Sequence, residues 1–157
     1  MPAEIIITID DASLQAATND PDLVAGPVAD FLAKMAFTIE SSAKELAPVD
    51  TGRLRSSIVS LLSPAQAVVR ASAEYAAYVE FGTRPHFPPI APLALWGKRH
   101  GGIPGWALAR AIGRRGTRPQ PFMEPAARTG VAQLDALLQE MSEAIQQKWE
   151  NDAKGGV

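Results

Sequence analysis

Few residues in this chain have the types and spacing that catalysis requires. No Gly-x-Ser-x-Gly segment is present to hold a serine nucleophile. The segment Gly113-Arg114-Arg115-Gly116-Thr117 lacks the Gly-Lys-Ser/Thr ending with which a phosphate loop binds phosphate and magnesium. His86 and His100 stand 14 residues apart with no acid between them, so they do not form a metal-ligand set. The sequence therefore predicts no enzymatic activity, no cofactor and no metal site.

The composition favours one soluble domain. The chain has 157 residues, of which 46% are hydrophobic and 20% charged, so we expect a single domain over residues 1–157. It contains no cysteine, which excludes disulfide bonds and thiolate chemistry. No apolar run reaches the roughly 18 residues that cross a bilayer, and the first residues do not resemble a secretory signal. We expect a protein made in a reducing cytoplasm, without membrane contact, and used there or exported passively inside a larger assembly.

The charges fall into three opposed blocks. Residues 1–50 carry nine acids and two bases, residues 51–123 carry ten bases and two acids, and residues 124–157 carry six acids and three bases. The net charge of −2 therefore conceals strongly opposed regions. Such a distribution favours contact with other charged surfaces.

The most unusual segment is residues 83–121, which hold seven Lys or Arg, both histidines and no acid. Their seven prolines and six glycines predict an extended basic loop or arm, with a helical turn at 106–112, that is too long for a plain connector. The two tryptophans favour ordering against a partner over a solvated linker. The candidate contact residues are Arg84, Lys98, Arg99, Arg110, Arg114, Arg115, Arg118, Trp96 and Trp106.

Three interpretations of this arm remain open. Its arginines could pair with an acidic protein surface, such as residues 1–50 of a neighbouring copy. They could instead neutralise phosphates along DNA, with a tryptophan stacking on bases. The arm could also be a mobile loop that its charge keeps soluble.

Regular elements flank the arm on both sides. The β-branched run from Ala3 to Ile9 predicts a strand, and the runs 57–62 and 67–71 predict a β-hairpin. Apolar residues at steps of three and four predict an amphipathic helix from about Pro27, which suits its first turn, to Leu46, and they leave open whether helix also covers Asp20 to Gly26. Because its apolar stripe needs a surface to cover it, we expect an α+β fold in which this helix packs on a small antiparallel sheet.

Two further helices are expected. A short one at 73–81 ends at Gly82, where a left-handed conformation suits glycine. Heptad-like spacing predicts a long C-terminal helix, with Pro125 in its first turn and an apolar stripe formed by Ala127, Val131, Leu134, Leu138, Met141 and Ile145.

Two polar segments are expected to have structural roles. Asp50 or Thr51 can cap a helical turn that starts near Gly52, with Leu54 anchoring that turn to the core. The second segment is a polar-aromatic group formed by Tyr75, Tyr78, Glu80 and Gly82. It contains no nucleophile paired with a base.

Three segments together resemble a known family. They are Ala47-Pro48-Val49-Asp50-Thr51-Gly52-Arg53-Leu54-Arg55-Ser56-Ser57-Ile58, then Tyr75-Ala76-Ala77-Tyr78-Val79-Glu80-Phe81-Gly82-Thr83, then Arg118-Pro119-Gln120-Pro121-Phe122-Met123-Glu124-Pro125-Ala126. In this order they are similar to the first, second and third blocks of the tail-completion, or head–tail joining, proteins of long-tailed phages. The stretch from Pro85 to Gly116 resembles an insertion, since it is longer than in many relatives.

The resemblance implies a small α+β fold, an antiparallel sheet crossed by a long helix, and a ring, often of six subunits, that joins the finished tail to the DNA-filled head. The implied partners are head connector or stopper proteins, tail terminator or tail tube proteins, and DNA passing through the lumen. The implied location is the virion neck, after assembly in the host cytoplasm, and no catalytic residue is implied. Two alternatives stay open: a tail terminator that stops tube growth, and a cytoplasmic DNA-binding module that uses the 83–121 arm.

Overall fold

The fold is built on a three-stranded antiparallel sheet. The computed structural model describes residues 3–10, 12–13, 16 and 20–155 of the chain. Its strands are β1 (Ala3–Thr8), β2 (Ile58–Ser63) and β3 (Gln66–Ala71), in the order β1-β3-β2. Pro64 and Ala65 form the two-residue turn between β2 and β3. The predicted strand and hairpin are confirmed.

The long helix α1 (Pro21–Leu46) packs on β2 and β3. Its predicted stripe is buried from Val28 to Ala43, whereas Leu46 is 47% exposed. Ala47 is extended and ends the helix before Pro48, as predicted. The fold is therefore α+β, with the long helix on the sheet.

The predicted place of Pro27 in the first turn of α1 is wrong, and the helix covers nearly all of the segment Asp20 to Gly26 that the sequence left open. The helix begins six residues earlier, where the Asp20 carboxylate accepts a hydrogen bond from the Asp22 amide at 2.9 Å and Pro21 occupies the first turn. Pro27 lies inside the helix and is buried. An interior proline removes one helical hydrogen bond, but a capped start and a continuous buried stripe from Leu23 onward outweigh that loss.

The C-terminal region forms two helices, α6 (Met123–Ala132) and α7 (Leu134–Gly155), which both pack on α1. The predicted single apolar stripe is wrong in part, since Val131 is 68% and Leu138 40% exposed. The buried face instead follows Met123, Ala126, Gly130 and Leu137, with helical spacing kept across the interruption at Gln133, so Val131 and Leu138 each lie one residue outside it. Pro125 lies in the first turn of α6, as predicted.

Gly130 determines how closely α6 approaches α1. A Cβ at Gly130 would lie 2.6 Å from Ile39 Cγ1 and 3.1 Å from Met35 Sδ, whereas a Cβ at Gly26 of α1 would meet no atom within 4 Å. We expect Gly130→Ala to lower the free energy of unfolding by about 1–3 kcal/mol through overpacking. The matched Gly26→Ala is expected to change it by less than about 1 kcal/mol, because the helix preference of alanine is opposed by the restriction that Pro27 places on the residue before it. Urea unfolding of both variants checks this, and a stabilising Gly130→Ala would contradict the close approach.

Two short helices follow the sequence expectations. Helix α2 (Arg53–Ser56) buries Leu54, and α3 (Ala76–Phe81) ends at Gly82, whose φ of 70° confirms the predicted need for glycine. No helix in the described ranges is long and apolar enough to cross a bilayer.

Residues 83–121 contain more regular structure than a long loop with one helical turn. Helices α4 (Ile90–Arg99) and α5 (Gly105–Arg115) pack against each other, and we call residues 84–116 the basic hairpin. Gly105 permits the contact, because a Cβ there would lie 2.8 Å from the Ala94 nitrogen. The prediction missed this hairpin because its glycines and prolines were assigned to a loop, whereas Pro89 and Pro104 immediately precede helices.

Candidate partner-binding cleft

The two ends of the basic hairpin meet where it joins the rest of the protein. Thr83 and Thr117 pair as an antiparallel bridge, with N···O distances of 3.3 and 3.2 Å. Gly82 and Gly116 precede them with φ values of 70° and 71°. A Cβ at Gly116 would lie 1.8 Å from the Thr83 carbonyl oxygen, so only glycine fits there. The basic hairpin therefore leaves the rest of the protein and returns to it at this bridge.

Glu80 joins the second sequence block to the third. It is only 3% exposed, and its carboxylate accepts hydrogen bonds from the amides of Phe122, Met123 and Glu124 at 2.8, 2.9 and 2.9 Å. These are the unpaired amides at the start of α6, where negative charge is also favourable to the helix dipole. Glu80 is thus an N-terminal cap supplied from 42 residues away.

Sequence reasoning placed Glu80 in a structural group but missed this role. The available signal was a helix without its own cap, because Phe122 stands at the cap position and makes no side-chain capping bond. A helix start that lacks Ser, Thr, Asp or Asn needs an acceptor from elsewhere in the fold.

The predicted capping role of Asp50 and Thr51 is wrong, although the helical turn itself forms. Gly52 takes the cap position of α2 with φ of 80°, and no side chain caps that helix. The Asp50 carboxylate instead accepts hydrogen bonds from Arg99 Nε at 2.8 Å and Arg99 Nη2 at 2.5 Å. Local spacing could not reveal this partner, which lies 49 residues away.

This ion pair attaches the turn of the basic hairpin to the first sequence block. Arg99 ends α4, and the next residue, His100, places its Nε2 3.8 Å from Asp50 Oδ1. The His100 ring also stacks on Trp96, with a centroid distance of 4.0 Å. The hairpin is therefore attached both at its base and near its turn.

We predict that acid loosens this attachment. Hydrogen bonds from Arg99 hold the pKa of Asp50 below its ordinary value, and Asp50 raises the pKa of Arg99. A carboxyl with a lowered pKa stabilises the folded contact at neutral pH, and that contribution is lost as the pH falls through the lowered pKa. The protection of the amides in residues 90–105, measured relative to the intrinsic exchange rate at each pH, should therefore fall at acid pH, and Asp50→Asn should show the low protection already at pH 7. Equal exchange in both proteins at pH 7 would contradict the attachment.

The attached hairpin encloses a cleft of about 630 Å³. The first sequence block lines it from Pro48 to Leu54, and the basic hairpin contributes Trp96, His100 and Ile112. The second and third blocks contribute Tyr75, Tyr78, Val79, Thr83, Arg118 and Gln120. All three sequence blocks thus converge on one concave surface of the size that binding sites occupy.

The predicted contact residues divide between this cleft and the outer surface of the hairpin. All nine are exposed. Trp96 and Arg118 line the cleft, and Arg99 forms the ion pair beside it. The other six are exposed but do not line the cleft: Arg84, Lys98, Arg110, Arg114, Arg115 and Trp106.

The cleft combines aromatic walls with uncompensated positive charge. Arg53 and Arg118 line it, and neither has an ion-pair partner within the described ranges, whereas Asp50 is already bound to Arg99. The described residues also contain no cluster of three or more His, Asp or Glu side chains that could hold a metal ion. The arrangement can hold an apolar side chain next to a carboxylate.

Comparison with known families finds a match that contains the first block and nearly all of the second. Residues 14–82 match the family described as "Bacteriophage HK97-gp10, putative tail-component". Over these residues the chain is similar to a phage tail component. The match confirms the predicted resemblance, and it ends at Gly82, just before the basic hairpin. No curated protein and no solved structure matches the chain.

Proposed function

We propose that this protein is a structural subunit of the phage neck, which forms a ring that completes the tail and joins it to the DNA-filled head. The observation that carries the proposal is the cleft, on which all three sequence blocks converge. The family match supports a tail component. The proposed role is architectural, with no catalytic step, and its place is the virion after assembly in the host cytoplasm.

The basic hairpin supplies the surface for assembly. Phe87, Leu95 and Trp106 are 79%, 59% and 61% exposed on it, among cations and without any acid. Such a mixture of aromatic, aliphatic and arginine side chains is typical of protein interfaces. Its binding partners are a second copy of the chain, head connector or stopper proteins, and tail terminator or tail tube proteins.

Opposed charges favour a head-to-tail arrangement of copies. The basic hairpin carries exposed cations and no acid, whereas α1 and α7 carry exposed acids such as Asp30, Glu45 and Glu143. A contact between two different surfaces is heterologous, and it closes into a ring when the rotation between copies divides a full turn. A ring of six follows the family resemblance.

Salt should weaken this ring. Exposed charges are screened beyond about 10 Å at 0.1 M salt, so we expect light scattering to show a lower average mass as salt is raised at constant protein concentration. An immunogold label on purified particles should lie at the neck. A protein that is monomeric at every concentration and absent from virions would reject the joining role.

A cytoplasmic DNA-binding module remains the second candidate, favoured by the exposed cations of the basic hairpin. Neutralised phosphates release counterions, so DNA binding would weaken steeply with salt and less steeply after arginines are removed. Tight binding of free DNA by the isolated protein would favour this role. The exposed apolar side chains between the cations favour protein contact instead.

A further inference from the structure

Among the described residues, the last turns of α7 extend past the start of α1, on which the helix packs. Two contacts show that α7 runs antiparallel to α1: Lys34 pairs with Glu140, and the Lys148 ammonium contacts the Asp22 carbonyl at the start of α1. Among the described residues, Ile145 is the last residue of α7 that packs on the core. The seven residues from 149 to 155 add about 10 Å of helix beyond that contact.

This projecting end carries a large apolar side chain beside acids. Trp149 is 56% exposed, and Asp152 lies three residues later, on the same side of the helix. Glu150 adds a second exposed carboxylate. Tryptophan is one of the residue types enriched among the side chains that contribute most binding energy, where it fills a pocket of the partner.

The cleft is complementary to that end in shape and in charge. The volume of the cleft, about 630 Å³, is larger than one indole ring needs. Tyr75 and Tyr78, which are 37% and 62% exposed, form its aromatic walls. Arg118 can pair with a carboxylate beside the indole, because no ion pair within the described ranges engages it. In one chain Trp149 does not line the cleft, so the contact requires two copies.

We infer that the cleft of one subunit binds the end of α7 of a second copy, with Trp149 between the aromatic walls and Asp152 beside Arg118. The inference rests on the proposed ring and names its subunit contact. The two surfaces differ, so each copy gives its α7 end to one neighbour and receives another in its cleft, as ring closure requires.

Cysteine cross-linking tests the contact directly. The chain has no cysteine, so introduced ones report only their own proximity. We would mix a Tyr78→Cys chain with a Trp149→Cys chain under mild oxidation, and we expect a disulfide-linked dimer identified by peptide mass. The matched mixture replaces Trp149→Cys with Phe37→Cys, at a residue that is 71% exposed on α1, and should remain monomeric on a denaturing gel. Equal or absent cross-linking in the two mixtures overturns the inference.

A charge exchange gives an independent readout. Arg118→Glu and Asp152→Arg should each weaken self-association by roughly tenfold, which corresponds to about 1.4 kcal/mol, and the double variant should recover most of the loss. Arg114→Glu combined with Asp152→Arg should not recover it. Failure of the specific rescue while the wild-type protein still forms a ring overturns this contact and leaves the ring intact. If the wild-type protein is monomeric and absent from virions, the proposed function itself is rejected.

Discussion

Glu80→Ala is expected to lower the free energy of unfolding by about 3–5 kcal/mol, since it leaves three amides at the start of α6 without an acceptor, two of them buried and the third partly buried. Each buried donor that loses its partner costs about 1–3 kcal/mol. Stabilities of whole domains are about 5–15 kcal/mol, so this single change removes a large share. The effect should appear as a lower urea midpoint with an unchanged slope.

Two control variants distinguish the capping role from a general loss of charge. Glu80→Gln keeps one acceptor oxygen and should fall between the wild-type protein and Glu80→Ala. Glu124→Ala removes an exposed acid of the same helix turn that pairs with Arg128, and should change stability by less than about 1 kcal/mol. If Glu80→Ala and Glu124→Ala unfold at the same urea concentration, the long-range cap does not stabilise α6.

Replacement of residues 86–116 by a short Gly/Ser linker is expected to leave a folded protein that no longer supports head–tail joining. The Thr83–Thr117 bridge already brings the two ends together, so a short linker can span them without moving Glu80 or α6. The folding loss should be modest, about 1–2 kcal/mol, from the packing of Trp96 and Trp106. The loss of assembly should be complete, because the linker removes one wall of the cleft and five of the seven Lys and Arg residues of 83–121.

Circular dichroism and complementation of a defective phage measure the two effects separately. We expect a folded spectrum with reduced helix content, together with filled heads and tails that remain apart in electron micrographs. The double variant Arg114→Glu and Arg115→Glu should give a milder joining defect. An unfolded deletion protein would make the hairpin part of the core, and infectious particles would make it dispensable for docking.

Local sequence determined the elements that depend on neighbouring residues. The β-branched run at Ala3, the two-residue turn at Pro64 and the buried stripe of α1 follow from side-chain periodicity and backbone preference, which act over a few residues. The three sequence blocks also predicted the relation to phage tail components that the family match over residues 14–82 confirms.

The predictions of helix position were wrong where two local signals competed. Pro27 was a sound helix start by itself, yet Asp20 and Pro21 provide a stronger one. The apolar spacing across Gln133 was regular, yet the face that the fold buries runs through Gly130 and Leu137, so Val131 lies at the surface. Such choices depend on which side chains the rest of the fold can bury.

The functional geometry was decided by tertiary structure alone. Asp50 is a good local cap by type, but it binds Arg99 because the basic hairpin folds back and offers a guanidinium with two donors. Glu80 caps a helix 42 residues away, and the cleft exists only where three blocks and the hairpin meet. Sequence by itself determined the residue types and the helices and strands that carry them. Which side chain pairs with which partner depended on long-range packing. Hydrogen bonds and ion pairs form between groups that are close in space, whatever their separation along the chain.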